Sequence, residues 1–277
     1  MTKILDRPLR IASVPYCNTL PLIYYLPEYL PKASLTAALP SALRRQFEND
    51  TVDLALMPVA ELPFLPQCRI VSNCCIACNG AVRSVLLFSK KPIEQIQTLA
   101  LDTASRSSVT LCELIFRHFY RKEPVKQPLL PDQNLNECSA DAFVVIGDRA
   151  LAHQASAEWS YGCDLGEWWK DKTGLPMVFA AWIGTEPVCS SENVSEMIAA
   201  LESARDRGLQ NLEPVLDGTI RNGKTPLPQN REAMLDYYRR AVVYTMGDAE
   251  REGLRLYFDL AARCGLLPET VYSVTAK

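Results

Sequence analysis

Ser105-Arg106-Ser107-Ser108 puts three hydroxyls and a guanidinium into four consecutive residues. The cluster follows a short apolar run, Thr98 to Asp102, and precedes a stretch in which Val109, Cys112, Phe116 and Phe119 recur at helical spacing. It therefore sits at a helix entrance, where backbone N–H groups lack partners and the helix dipole favours an anion. Arg106 adds a planar fork of donors suited to a carboxylate. An ordinary N-cap made by Ser105 or Ser107 explains the same residues, and the cluster alone does not choose between the two.

Three other places share this character. Tyr16-Cys17-Asn18-Thr19 follows the apolar run Leu9–Val14, Pro58 to Glu61 follows Val52–Met57, and Gly147-Asp148 follows Ala142–Ile146. In open α/β sheets, ligands bind outside the carboxyl ends of the strands. Four strand-to-helix junctions carrying short polar groups point to one shared cleft.

The elements that must position these groups alternate. Strands are expected at Leu9–Val14, Ser34–Leu39, Val52–Met57, Arg69–Val71, Val82–Ser89, Thr98–Leu101, Ala142–Ile146 and Met177–Ile183. Helices are expected at Thr19–Leu26, Ser41–Asn49 and Ser107–Tyr120, with Val59–Phe64 as a turn or two. After Ser190 the pattern is helical: Val194–Arg207, Leu209–Leu216, Arg231–Val243 and Asp248–Cys264. This order implies an α/β fold with largely parallel sheets.

Composition narrows the class. The 277 residues are 48% hydrophobic and 22% charged, ordinary for a globular protein, and the net charge of −3 gives no nucleic-acid footprint. No segment approaches the roughly 18 apolar residues that span a bilayer, so no membrane partner is expected. The stretch Met1 to Pro8 lacks the apolar core of a signal peptide, and a cytoplasmic location is expected. Ten cysteines in a reducing compartment read as small buried hydrophobes. Cys75-Ile76-Ala77-Cys78 has zinc-site spacing, but no second pair accompanies it and the only histidines are His118 and His153.

Taken in order, the motifs resemble one family. Val14-Pro15-Tyr16-Cys17-Asn18-Thr19-Leu20-Pro21-Leu22 is similar to its opening V-x-Y-x-N-T-x-P-L, and Val52 to Pro58 with Glu61 to V-D-x-A-L-x-P-x-x-E. Ser84 to Ser89 resembles S-V-x-L-F-S, Leu101 to Val109 resembles L-D-x-x-S-R-T-S-V, and Asp141 to Leu151 resembles D-A-x-x-x-I-G-D-x-A-L. Asp164 to Trp182 is similar to D-L-G-x-x-W, then T-G-L-P-x-V-F-A-x-W. The family is chorismate dehydratase, of the futalosine route to menaquinone, and the resemblance runs from Arg10 to Gly265. Ser107 stands where that pattern has threonine, which keeps the hydroxyl and loses a methyl.

The resemblance implies a type II periplasmic-binding-protein-like fold: two α/β lobes with mixed, mostly parallel sheets, a helical C-terminal region and the ligand between the lobes. Lobe 1 is expected from residues 1–88 plus 185–277 and lobe 2 from 89–184, with crossings near Leu87–Lys91 and Ala181–Thr185. The implied reaction removes water from chorismate, a dianion, giving 3-[(1-carboxyvinyl)oxy]benzoate. Aromatisation drives it, so neither a redox cofactor nor a metal is needed.

The expected catalytic residues are Asn18 and Ser84, which can donate to a carboxylate or to developing charge. Tyr16, Thr19, Ser105, Arg106, Ser107, Ser108, Gly147 and Asp148 are the expected substrate contacts. Arg106 either holds a carboxylate or turns outward to brace its helix. Phe179, Trp168 and Trp182 join Tyr16 as candidate walls for the ring. No histidine falls in a motif. Proton removal therefore rests on the substrate's own enolpyruvyl carboxylate or on Glu61, Asp148 or Asp164. The exposed C-terminal helices offer a homodimer face. Two other readings stand beside this one: an enzyme resembling the 1,4-dihydroxy-6-naphthoate synthase of the same pathway, whose pattern departs at Asn18–Pro21 and Ser105–Val109, and a non-catalytic solute-binding or sensory module.

Overall fold

A computed structural model describes residues 7–102, 105–130, 133–153, 157–221 and 229–269. Thr103 and Ala104, at the edge of the hydroxyl cluster, lie outside the described residues, as does Met1–Asp6. The strands are β1 (Arg10–Ser13), β2 (Ser34–Ala37), β3 (Leu54–Pro58), β4 (Cys68–Cys78), β5 (Val85–Ser89), β6 (Thr98–Asp102), β7 (Val125–Leu129), β8 (Ala142–Ile146), β9 (Tyr161–Asp164), β10 (Met177–Thr185) and β11 (Val243–Thr245). They form two sheets, ordered β11-β4-β10-β3-β1-β2 and β7-β6-β8-β5-β9. The first draws on both halves of the chain and the second on its middle.

Both sheets are mixed. β1 pairs parallel with β2 and β3, and β6 with β7 and β8, as the alternating pattern requires. The remaining pairings, which involve β4, β5, β9, β10 and β11, are antiparallel, so the sheets are not mostly parallel. The reason for β4, β5, β9 and β10 is connectivity: they lie where the chain passes from one sheet to the other, whereas β11 adds the sheet's antiparallel edge after the helices that follow β10. The passages fall at residues 79–84, between β4 and β5, and at 165–176, between β9 and β10. Crossings placed at Leu87–Lys91 and Ala181–Thr185 instead meet β5 and β10, whose apolar runs are bonded on both sides rather than serving as linkers.

β3 and β8 are buried along their whole length, and β10 along all but its last residue. Each large aliphatic side chain so covered is worth about 1.5–3 kcal/mol. These three strands are therefore rigid supports for the junctions at their ends. Three strands carry no apolar alternation, and all three are sheet edges: β7, β9 and β11. β7 tolerates Pro128 because an edge strand need not donate on its outer side.

The helix expected over Ser107–Tyr120 is α-helical over Arg106–Leu114 and widens to a π-turn over Ile115–Tyr120. A second π-turn, Tyr237–Ala241, continues the short helix Arg231–Asp236. Among the described residues no helix is long and apolar enough to cross a membrane.

Candidate active site

The first junction turns tightly. After β1, a 3-10 turn spans Cys17–Thr19. The Thr19 hydroxyl donates to the Tyr16 carbonyl at 2.7 Å, and Tyr238 Oη donates to the Cys17 carbonyl at 3.0 Å. These bonds fix the backbone that carries Asn18. The Asp148 carboxylate accepts the Cys17 N–H at 3.0 Å from the other sheet's junction. Burial raises the Asp148 pKa, and the bonds from Cys17 offset part of that rise.

Gly147 occupies the left-handed region, with φ +61°. A Cβ there would stand 2.8 Å from Cδ1 of Tyr16, so the ring can lie against this backbone only because residue 147 is glycine. The Gly147 N–H donates to the Ser84 carbonyl at 2.8 Å. Ser84 follows Arg83, a non-glycine residue at φ +62°. That costly conformation is held from two sides. Asp164 accepts the N–H groups of Val82 and Arg83, and the Arg83 guanidinium pairs with Asp236 at 2.6 Å.

The helix entrance at Ser105 resolves the capping question. Ser105 makes no side-chain cap; its Oγ lies 3.2 Å from Ser108 Oγ. Ser107 does not cap either, because its Oγ accepts the Ala60 N–H at 3.1 Å. The first helical bond runs from the Val109 N–H to the Ser105 carbonyl, so the earlier N–H groups have no acceptor within the helix.

These junctions meet around one cavity of about 40 Å³. Tyr16, Asn18, Ser84, Ser105, Ser108 and Gly147 supply its polar lining, while Val14, Ile76, Val82 and Phe179 are among its apolar walls. Among the described residues, no aspartate, glutamate, lysine, arginine or histidine lines it. Burial, with the Asp102 and Asp148 carboxylates nearby, pushes the Tyr16 phenol well above its ordinary pKa and keeps it neutral. Ser84 Oγ accepts from Tyr237 Oη at 2.9 Å. Asn18 Oδ1 is buried without a hydrogen-bond partner. The arrangement can bind and orient a polar ligand through neutral groups and a helix terminus, in a space with little room for water.

The chain matches a family model described as menaquinone biosynthesis over residues 9–263. It belongs to the menaquinone biosynthesis family. A curated protein of Thermus thermophilus named chorismate dehydratase is 27% identical over 271 residues, covering 91% of this chain and 94% of its own. A crystal structure of an Archaeoglobus fulgidus protein superposes with TM-score 0.74 at 17% identity, covering 95% of this chain and 99% of that one. The alkanesulfonate-binding protein of Xanthomonas axonopodis pv. citri, bound to MOPS, gives TM-score 0.64 at 12% identity, over 99% of this chain and all of that one. The fold is therefore periplasmic-binding-protein-like.

Several residues expected at the ligand in this menaquinone-family chain are committed elsewhere. Arg106 Nε donates to Glu61 Oε1 at 2.8 Å, and its guanidinium lies over the Phe64 ring at 4.9 Å. Ser107 and Thr19 spend their hydroxyls on backbone groups. Asp148 lines a neighbouring pocket of about 200 Å³ that shares Tyr16 with the cavity, together with Thr19. Asp164 caps the Leu165–Thr173 helix besides holding Val82 and Arg83. Trp168 packs on Phe119, and Trp182 is fully buried in the core. His153 lies edge-on to Phe88, and His118 to Phe119. Cys75 approaches the Val243 carbonyl, whereas Cys78 faces Gly166, so the two thiols look to different neighbours. Sequence reasoning missed Tyr237. Its signal was a tyrosine pair, Tyr237-Tyr238, in a helical stretch, since a buried phenol must find a partner.

Proposed function

We propose that this protein dehydrates chorismate to 3-[(1-carboxyvinyl)oxy]benzoate, as a lyase of menaquinone biosynthesis. The observation that carries the reading is the shared cavity, with Asn18, Ser84, Ser105 and Ser108 facing apolar walls and no ionic side chain among the described residues of the lining. Chorismate brings two carboxylates and one hydroxyl. The helix entrance at Ser105–Ser108 suits one carboxylate. The unpartnered Asn18 Oδ1 suits the C4 hydroxyl, the substrate's one good donor. Ser84 supplies a proton donor to the second carboxylate or to the departing oxygen.

A proton leaves C3, hydroxide leaves C4, and the two depart together as water while the ring becomes aromatic. The enolpyruvyl carboxylate takes the C3 proton, since no described residue of the lining is a base, and hands it to the departing hydroxide, which leaves as water. The enzyme's contribution is orientation and fixed dipoles in a dry site. A cavity of about 40 Å³ is far below the ~300–1,000 Å³ of ordinary ligand pockets, so the lobes part to admit substrate. A cytoplasmic enzyme fits this role, in keeping with ten cysteines that are all free thiols.

The test is to incubate the purified protein with chorismate and follow the absorbance of the aromatic product. Binding without turnover identifies a solute-binding module instead. Turnover of cyclic dehypoxanthine futalosine identifies a naphthoate synthase. The proton acceptor is tested by Glu61→Gln, Asp148→Asn and Asp164→Asn. Each keeps kcat within about tenfold of wild type, and a loss of about a thousandfold with binding intact moves the base to that residue.

A further inference from the structure

Tyr237 is completely buried and does not line the cavity, yet it touches the groups that do. Its hydroxyl donates to Ser84 Oγ at 2.9 Å, and the Asn18 amide lies against the same phenol. The chemistry of these three groups sets the direction of the chain. A phenol has one proton, and here it is committed to Ser84. Its oxygen can then only accept from Asn18, so the amide must present N–H and turn Oδ1 away. That orientation leaves Asn18 Oδ1 as the unpartnered acceptor observed. Ser84, having accepted, is left with its own proton to give into the cavity. Burial holds the phenol protonated well beyond neutral pH.

The next residue reinforces the same turn. Tyr238 Oη holds the Cys17 carbonyl, one residue before Asn18. Both tyrosines open the π-turn Tyr237–Ala241, a feature frequent at functional sites.

We infer that Tyr237 is the positioning residue of the site: it aims the Ser84 hydroxyl proton at the substrate and orients the Asn18 amide so that its oxygen faces the substrate. The inference rests on the dehydratase reading above and adds a residue to it.

Steady-state kinetics on chorismate test it with wild type, Tyr237→Phe, Ser84→Ala and the double variant. Tyr237→Phe lowers kcat about ten- to a hundredfold with KM within about threefold, because the ring still fills its place. The double variant is no slower than Ser84→Ala by more than about twofold, since the phenol acts through that hydroxyl. Ser84→Thr, which keeps the hydroxyl, retains the sensitivity to Tyr237→Phe. A Tyr237→Phe enzyme with wild-type kcat, a loss confined to KM, or losses that multiply in the double variant each overturn the inference while leaving the dehydratase reading intact. Wild-type protein that leaves chorismate unchanged overturns both. Site-specific 3-fluorotyrosine at position 237 covers a Tyr237→Phe protein that fails to fold. It keeps the ring and strengthens the donor, changing kcat about twofold or more in wild type and not in Ser84→Ala. Equal behaviour of the two backgrounds overturns the inference.

Discussion

The two ends of β1 and β3 are built on opposite principles. At their amino ends Asp53 accepts from Arg7 Nη1 and Nη2 at 2.6 and 2.7 Å, and from the Arg10 backbone N–H at 2.9 Å. The Arg10 guanidinium adds bonds to both Asp53 and Asp50. Burial pushes the Asp53 carboxyl up, but Arg7 and Arg10 overrule it and hold the pKa well below the usual carboxylate range. At the carboxyl ends of the same strands stand Tyr16, Asn18 and Pro58, all neutral, with one amide oxygen unpartnered. One end satisfies its polar groups internally and fastens two strands. The other leaves the Asn18 amide oxygen unsatisfied, at a cost in stability that a ligand can repay.

The sharpest way to break this contrast is to alter each end and read both stability and turnover. Asn18→Ala removes the unpartnered acceptor and lowers kcat on chorismate about 10²–10³-fold, the scale of losing one preorganised polar group. Its melting temperature falls by no more than a few degrees, because no hydrogen bond to Oδ1 is lost and only the amide's contact with the Tyr237 phenol goes. Comparable losses of turnover and stability would mean that the cleft end is structural as well.

Asp53→Asn does the reverse. It weakens a cluster whose carboxylate is 3% exposed but whose arginines are 44% and 29% exposed, so solvent screens part of the effect. About 2 kcal/mol is expected, or a melting temperature lower by about 5 °C, with kcat unchanged. The sign with pH follows from the depressed carboxyl. The stabilisation is complete above the unfolded value near pH 4 and is lost as pH falls through the lower folded value. Thermal melts from pH 7 to pH 3 should therefore show the gap between wild type and variant closing only below about pH 4. A gap that is flat across this range removes Asp53 as its source.

The comparison also explains how much the sequence disclosed. Continuous apolar runs gave β3, β8 and β10, because strands covered on both faces must be apolar throughout. The edge strands β7, β9 and β11 were illegible: half their bonding is to solvent, and residues such as Lys126, Gln127 and Gly162 carry no alternation. The full length of β4 was hidden because Ser72 and Asn73 interrupt an otherwise apolar stretch. In the site, residues that approach the cavity through backbone geometry were readable from their junctions: Tyr16, Asn18, Ser105, Ser108 and Gly147. Residues whose direction depends on distant partners were not. Whether Arg106 faces a ligand or Glu61, and whether Tyr237 reaches Ser84, is decided by elements 45 and 153 positions away.

Arg106 gives the last way to sharpen the contrast, because it is a charge at the neutral end. It joins the Arg106–Leu114 helix to the Val59–Phe64 turn of the other sheet through Glu61, whose side chain is 6% exposed. Arg44 reaches the same carboxylate at 3.9 Å, too far for a hydrogen bond. Phe64 lies beneath both guanidiniums. If Arg106 is a brace, Arg106→Ala strands a buried carboxylate and lowers the melting temperature by a few degrees. It raises KM for chorismate only about threefold through altered closure, with kcat near wild type. Adding Glu61→Gln removes the stranded charge and restores most of the lost stability, a coupling that a double-variant cycle measures directly. If Arg106 instead swings to a substrate carboxylate when the lobes part, losing a charge-assisted pair raises KM by about a hundredfold, and Glu61→Gln rescues nothing. The expected result is the small effect with rescue, because Glu61 would be left buried and nearly unpaired by any swing of Arg106 toward the cavity.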